Sequence, residues 1–195
     1  MTFVAGVVLA AGSSRRLGTP KQLLPVGGRT LLDATIARAR RCGFDQLIVT
    51  LGASSDDVRA LVDLGGVEIV EIAQHLEGCS ASIGAAVLAV DPRADGIVLL
   101  LGDQPDVAAS SIHAVIDHAS AGSPIVVGRY EDGIGHPFWF GRPTFADLGD
   151  LHGDKAVWKL IESGRYPVDE VMLDGLVPLD VDTWDDYVRL VGERT

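Results

Sequence analysis

Apolar residues fall along this chain in two alternating rhythms. Short runs rich in β-branched residues stand at 4–9, 46–51, 67–72, 97–101 and 125–128. Between them, at 30–41, 55–64, 82–90 and 110–119, apolar and polar positions alternate at helical spacing. The runs predict buried strands and the intervening stretches amphipathic helices. Local signals agree: Thr30 with Asp33 three residues on reads as an N-cap, and Ser55 is followed by Asp56 and Asp57 in a first turn. Residues 97–101 are apolar throughout, the pattern of a strand in the middle of a parallel sheet. After Tyr130 the rhythm changes: residues 137–140 read as a strand, 154–162 as a helix, 171–181 as a strand-like segment around a turn at Gly175, and 184–191 as a closing helix. The alternation predicts a three-layer, Rossmann-like α/β fold with a mostly parallel central sheet, formed by residues 1–195 as one domain. In open α/β sheets ligands gather at the carboxyl ends of the strands, which directs attention to the loops after Leu9, Ile72 and Leu101.

Composition narrows the class. Apolar residues make up 47% and charged residues 22%, a globular balance. Sixteen Lys and Arg against 27 Asp and Glu leave a net charge of −11. That sign argues against a nucleic-acid or anionic-membrane partner, both of which require clustered cations, but it leaves room for a local cationic loop. Cys42 and Cys79 make neither a disulfide framework nor a metal-ligand spacing. The apolar stretch 3–11 lacks the basic region of a signal peptide and is too short to span a bilayer. A reducing, cytoplasmic setting is expected.

The loop after the first strand, Leu9-Ala10-Ala11-Gly12-Ser13-Ser14-Arg15-Arg16-Leu17-Gly18-Thr19-Pro20-Lys21, combines small residues with three cations. Small residues let the backbone approach a ligand, successive N–H groups can form an anion-binding nest, and Arg15, Arg16 and Lys21 suit a polyphosphate. It is neither a P-loop, since Gly12 and Gly18 are six apart and Thr19 stands where Lys is required, nor a G-x-G-x-x-G dinucleotide fingerprint. After the central strand, Gly102-Asp103-Gln104-Pro105 places a carboxylate where Mg²⁺ could be held, although an Asp there also serves as a turn former or cap. The segment 75–84 precedes a helix, and the hydroxyls of Ser80 and Ser82 could read a base and ribose or simply cap that helix.

The first loop resembles the signature L-A-A-G-x-S-x-R-M-G-x-x-K of the nucleotidyltransferases that act on molybdenum cofactor, sugar phosphates and related acceptors, with Leu17 in place of Met. Gly102-Asp103-Gln104-Pro105 resembles the family's metal-binding G-D-x-P, and residues 179–187 resemble its D-I-D-T-P-E-D-[LY], with Trp184 replacing Pro. Residues 78–83, 135–140 and 151–158 are similar to stretches of the molybdenum cofactor cytidylyltransferases, with Cys79 for Met and Ala156 for Gly.

The resemblance implies that Arg16 and Lys21 contact phosphates and act in catalysis with Asp103, and that Leu9, Ala10, Ala11 and Gly12 line the nucleotide together with Ser80, Ser82 and Asp103. It implies Mg²⁺ on Asp103 and Asp182, with Asp180 in reserve, and His136 and Lys155 facing the acceptor. The reaction implied is transfer of CMP from CTP to the molybdopterin form of molybdenum cofactor with release of pyrophosphate, the product passing to a molybdoenzyme. Guanylyl transfer, transfer to a sugar or alditol phosphate, and a non-catalytic nucleotide or cofactor carrier are the alternatives.

Overall fold

The computed structural model describes residues 2–73, 78–153 and 155–192. Strands β1 (Val4–Ala10), β4 (Gln46–Leu51), β5 (Glu68–Glu71), β6 (Gly96–Leu101), β7 (Ile125–Arg129), β8 (Ile134–Gly141) and β9 (Val168–Met172) form one sheet, ordered β5-β4-β1-β6-β8-β7-β9. Only β8 runs against its neighbours, so the sheet is mostly parallel, as the alternation predicts. A small hairpin, β2 (Pro25–Val26) with β3 (Arg29–Thr30), sits apart from it.

Strand side chains alternate between two cores, because successive residues point to opposite faces. On one face Val8, Val98 and Leu100 meet α1 (Leu31–Arg40), α2 (Ser55–Leu61) and α4 (Ala109–Ala119) through Ile36, Val58 and Ile112. On the other, Val7, Ile97 and Leu99 meet α3 (Cys79–Ala89), α5 (Phe145–Gly149) and α6 (Ala156–Glu162) through Ile83, Leu148 and Leu160. A third cluster joins Leu17, Leu24 and Leu31 to Val181 and Leu190, which brings α7 (Trp184–Gly192) against the first loop.

The helix signals are met unevenly. Thr30 and Asp33 form a reciprocal capping box at α1. Helix α2 ends at Leu61 rather than at 64, its N-cap is Ser54, and the Ser55 hydroxyl donates to Glu71 instead (2.9 Å). Helix α3 starts at Cys79, three residues before the expected 82. Of the apolar segment 171–181, only the start belongs to a strand. Beyond Gly175, the Val177 N–H donates to Asp132, the Pro178 carbonyl accepts from Gln104, and Leu179 and Val181 turn into the third cluster. The apolar pattern there serves burial without sheet pairing. Among the described residues, no helix is long and apolar enough to cross a membrane.

Candidate active site

Strands β1 and β6 are paired neighbours, with Leu9 opposite Leu101, so the loops that follow them leave the sheet side by side. Two glycines, Gly52 after β4 and Gly102 after β6, let their loops close on the first loop. A Cβ at Gly52 would lie 2.5 Å from the Ala11 carbonyl oxygen, and one at Gly102 would lie 2.9 Å from the Ala10 Cβ. Real Cβ atoms essentially never come that close to another heavy atom, so a side chain at either position would have to push the first loop aside. Buried hydroxyls tie the loops to their surroundings: Thr50 accepts from the Ala10 N–H, and Thr35 donates to the Gly102 carbonyl.

Together these loops border a cavity of about 540 Å³. Leu9, Ala10, Ala11, Gly12, Arg16, Lys21, Ser82, Asp103 and Asp182, all singled out from sequence, line it, as do Gln22 and Cys79. At its centre the Lys21 ammonium lies 2.5 Å from Asp103 Oδ2 and 2.9 Å from Asp182 Oδ1, while Arg16 reaches Asp182 Oδ2 at 3.2 Å. Lys21 and Asp103 are largely covered; Arg16 and Asp182 are exposed. Burial alone would depress the Lys21 pKa, but Asp103 and Asp182 outweigh it and hold the ammonium above its ordinary value. Lys21 is therefore charged across the whole neutral range.

Asp182 is free to face Lys21 because its neighbour does the capping. Thr183 and Asp186 exchange hydrogen bonds at the start of α7, the Asp186 N–H donating to the Thr183 hydroxyl (3.2 Å) and the Thr183 N–H to the Asp186 carboxylate (2.8 Å). Asp180 is not among the residues lining the cavity. Burial, then the nearby Asp103 and Asp182 charges, push it up to about 6. Gln104, 2% exposed, donates to the Pro178 carbonyl (3.0 Å), so it links the Asp103 loop to the Asp180–Asp182 segment.

The carboxylates of Asp103 and Asp182 converge on one point, now filled by an ammonium nitrogen. Oxygen donors of this kind suit a hard divalent cation. Among the described residues no group of three or more His, Cys, Asp or Glu side chains forms a closed cage. Two carboxylates fit an ion such as Mg²⁺, which keeps waters and shares phosphate ligands, better than one needing an all-protein shell.

Other sequence-selected residues lie outside this group. Ser80 is buried and its hydroxyl accepts from the Gly153 N–H (3.1 Å), tying α3 to the 150–153 loop. His136 sits on β8 with its ring stacked on Phe138 (4.1 Å between centroids), and Lys155 is the exposed residue preceding α6; neither lines the cavity. Burial depresses the His136 imidazole to about 3. His75, at the start of the 75–84 segment, and Asp154, within the 151–158 stretch, lie outside the described residues. Sequence reasoning passed over Gln22 and Gln104, both nearly fully buried. A polar residue directly after each key charge, Lys21 and Asp103, was the available signal.

An α/β sheet that gathers a cationic loop and two carboxylates at its carboxyl edge has the equipment of a nucleotidyltransferase, and the comparisons with known proteins place the chain in that class. It belongs to the MobA-like NTP transferase domain family, whose model matches residues 6–170. It is similar to the crystal structure of a Mycobacterium tuberculosis Rv0371c homologue from Mycobacterium sp. strain JC1, with 58% identity and a TM-score of 0.92 over 97% of this chain and 96% of that one. Rv0371c of M. tuberculosis H37Rv, solved in complex with manganese, is 53% identical with a TM-score of 0.89 over 98% and 99%. The protein called nicotine blue oxidoreductase from Paenarthrobacter nicotinovorans is 30% identical over 96% of each chain. The chain is a nucleotidyltransferase, and its donor is a nucleotide.

Proposed function

We propose that this enzyme transfers CMP from CTP to the molybdopterin form of molybdenum cofactor, using Mg²⁺ and releasing pyrophosphate, and that residues 1–195 act as one catalytic unit whose product passes to a molybdoenzyme. The observation that carries the reaction type is the Lys21 ammonium shared by Asp103 and Asp182, with Arg16 beside it. The obstacle to joining an NTP and a phosphorylated acceptor is repulsion between two polyanions. Lys21 and Arg16 hold the triphosphate and neutralise part of its charge; Leu9 to Gly12, with Ser82, flank the nucleoside. Mg²⁺ bound by Asp103 and Asp182 supplies further charge neutralisation and alignment of the phosphates. The acceptor monoester has a second pKa of about 6 and arrives already ionised, so the attacking oxygen needs no general base.

Cytidine is favoured by Ala11, which stands where the family's guanylyltransferases carry glycine, and whose methyl narrows the space beside the base. Molybdopterin is favoured by the resemblance of residues 135–140 and 151–158 to the cytidylyl subgroup, and on that resemblance His136 and Lys155 lie toward the acceptor. Manganese in the structure of Rv0371c supports a divalent metal here. The oxidoreductase name of one relative does not carry hydride chemistry to this chain: the first βα loop has no G-x-G-x-x-G, and its Arg15, Arg16 and Lys21 suit a triphosphate. Pyrophosphate release with equal CTP and GTP, Mg²⁺ and molybdopterin tests the reading. A CTP preference of roughly 10–200-fold is expected from a steric difference of this size. A preference for GTP, or for a sugar or alditol phosphate acceptor, replaces the cytidylyl assignment, and tight nucleotide binding with no pyrophosphate under any combination points to a carrier.

A further inference from the structure

We propose that Gln22 is a positioning residue for nucleotide binding: its side-chain amide pins the backbone of the first loop so that the loop's N–H groups face the triphosphate. The proposal rests on reading the cavity as the NTP site. Gln22 is 4% exposed and lies in the short 3-10 turn that also carries Lys21. Its Nε2 has two hydrogens, and both are committed, to the carbonyls of Ala10 (2.7 Å) and Gly12 (3.0 Å). The reverse amide orientation would set Oε1 against two carbonyl oxygens, so these contacts fix which way the amide points. The consequence is that Oε1 is buried with no hydrogen-bond partner among the described residues. An unpaired buried acceptor is costly, and a methionine would fill the same space without one. The position is explained by its donor.

What the donor does follows from peptide geometry. In a planar trans peptide the carbonyl of one residue and the N–H of the next point in opposite directions. Drawing the Ala10 and Gly12 carbonyls toward Gln22 therefore turns the N–H groups of Ala11 and Ser13 away from it. Among the described residues, none of the backbone N–H groups of residues 11–16 donates to a protein acceptor, although these residues line the cavity. The far end of the loop is held as well, by the Lys21 N–H donating to the Ser14 hydroxyl (2.9 Å). A run of unused donors on a loop fixed at both ends is a nest for a polyanion. Gln22 thus keeps that nest open before the ligand arrives.

The test uses Gln22→Met, which keeps length and removes the donor, and Gln22→Glu, whose carboxylate has no hydrogen to give at neutral pH. Calorimetry with inorganic triphosphate, a probe without a base, is run beside CTP. Each variant should bind triphosphate and CTP at least about tenfold more weakly, through loss of a pre-organised contact set. The loss in turnover should fall on the KM for CTP more than on kcat. Melting of Gln22→Met should stay within about 4 °C of wild type, because the lost hydrogen bonds are offset by removal of the orphaned oxygen. Equal triphosphate affinity in wild type and both variants, or a wild type that does not bind triphosphate, overturns the proposal. A donor other than CTP would overturn the cytidylyl assignment alone, since the triphosphate comparison does not involve the base.

Discussion

On the proposed reading Lys21 meets two demands at once: it must stay charged while mostly covered, and it must reach a triphosphate. The first is secured by Asp103 and Asp182, which raise its pKa against the effect of burial. Because both carboxylates already compensate it, Lys21→Met leaves two acidic groups facing each other without a counter-charge. A charge-assisted hydrogen bond to phosphate is worth about 1.5–3 kcal/mol. We therefore expect Lys21→Met to lower kcat/KM for the NTP by roughly 10–150-fold, Arg16→Ala by a similar or smaller factor, and Arg15→Ala least, as Arg15 has no partner among the site's carboxylates. Steady-state pyrophosphate release measures all three, and equal losses would show the cations to be interchangeable. The charged members of this group were legible in the sequence because like and unlike charges at fixed loop positions carry their own chemistry. Gln22 and Gln104 were not. Neither is charged, and each acts on carbonyls whose directions no residue pattern discloses.

At the scale of elements, the parallel strands and their helices could be read from period and length, but β8 could not be placed. Its apolar run looks like any buried strand. The antiparallel insertion between β6 and β7 is set by the short return through Tyr130–Gly133, where the Tyr130 N–H donates to the Gly133 carbonyl, and not by the side chains of the strand. The hairpin β2–β3 and helix α5 are too short to show a periodicity. The position of β8 gives His136 an aromatic neighbour and covers much of its ring. Its folded pKa of about 3 lies below the unfolded value of about 6.5. Between these values the unfolded chain binds a proton that the folded one does not, so the stability contribution is complete above pH 6.5 and is lost as pH falls toward 3. From pH 7.5 to 5 this one group costs about 2 kcal/mol. His136→Phe keeps an aromatic ring against Phe138 and cannot titrate. Its melting temperature should therefore drop less than that of wild type between pH 7.5 and 5, by about 4–8 °C. Parallel drops in thermal unfolding would remove the imidazole as the cause.

For the molecule as a whole, the decisive fact is that the site is assembled from both ends of the chain. Lys21 and Asp182 are 161 residues apart in sequence, and Asp182 lies beyond residues 6–170 that match the family model. What brings it back is apolar. Leu17, Leu24 and Leu31 from the first loop and its surroundings pack with Val181 and Leu190, and the Tyr187 hydroxyl donates to the Pro25 carbonyl (2.7 Å). Leu190 is 2% exposed and lies on α7, which begins two residues after Asp182. Truncating it should cost about 2–4 kcal/mol, from lost burial and the cavity left behind. If α7 only adds stability, Leu190→Ala will melt lower and work unchanged below its transition. If α7 positions the second carboxylate, the same variant will also need more Mg²⁺ for half-maximal turnover, because Asp182 gains freedom while Asp103 stays held in the loop after β6. We expect the second outcome, at a temperature well below melting. We also expect one cooperative transition in both proteins, since the third cluster spans the loop and the terminal helix. Two separate transitions would make residues 179–192 an appendage, and an unchanged Mg²⁺ requirement would leave α7 with a role in stability alone.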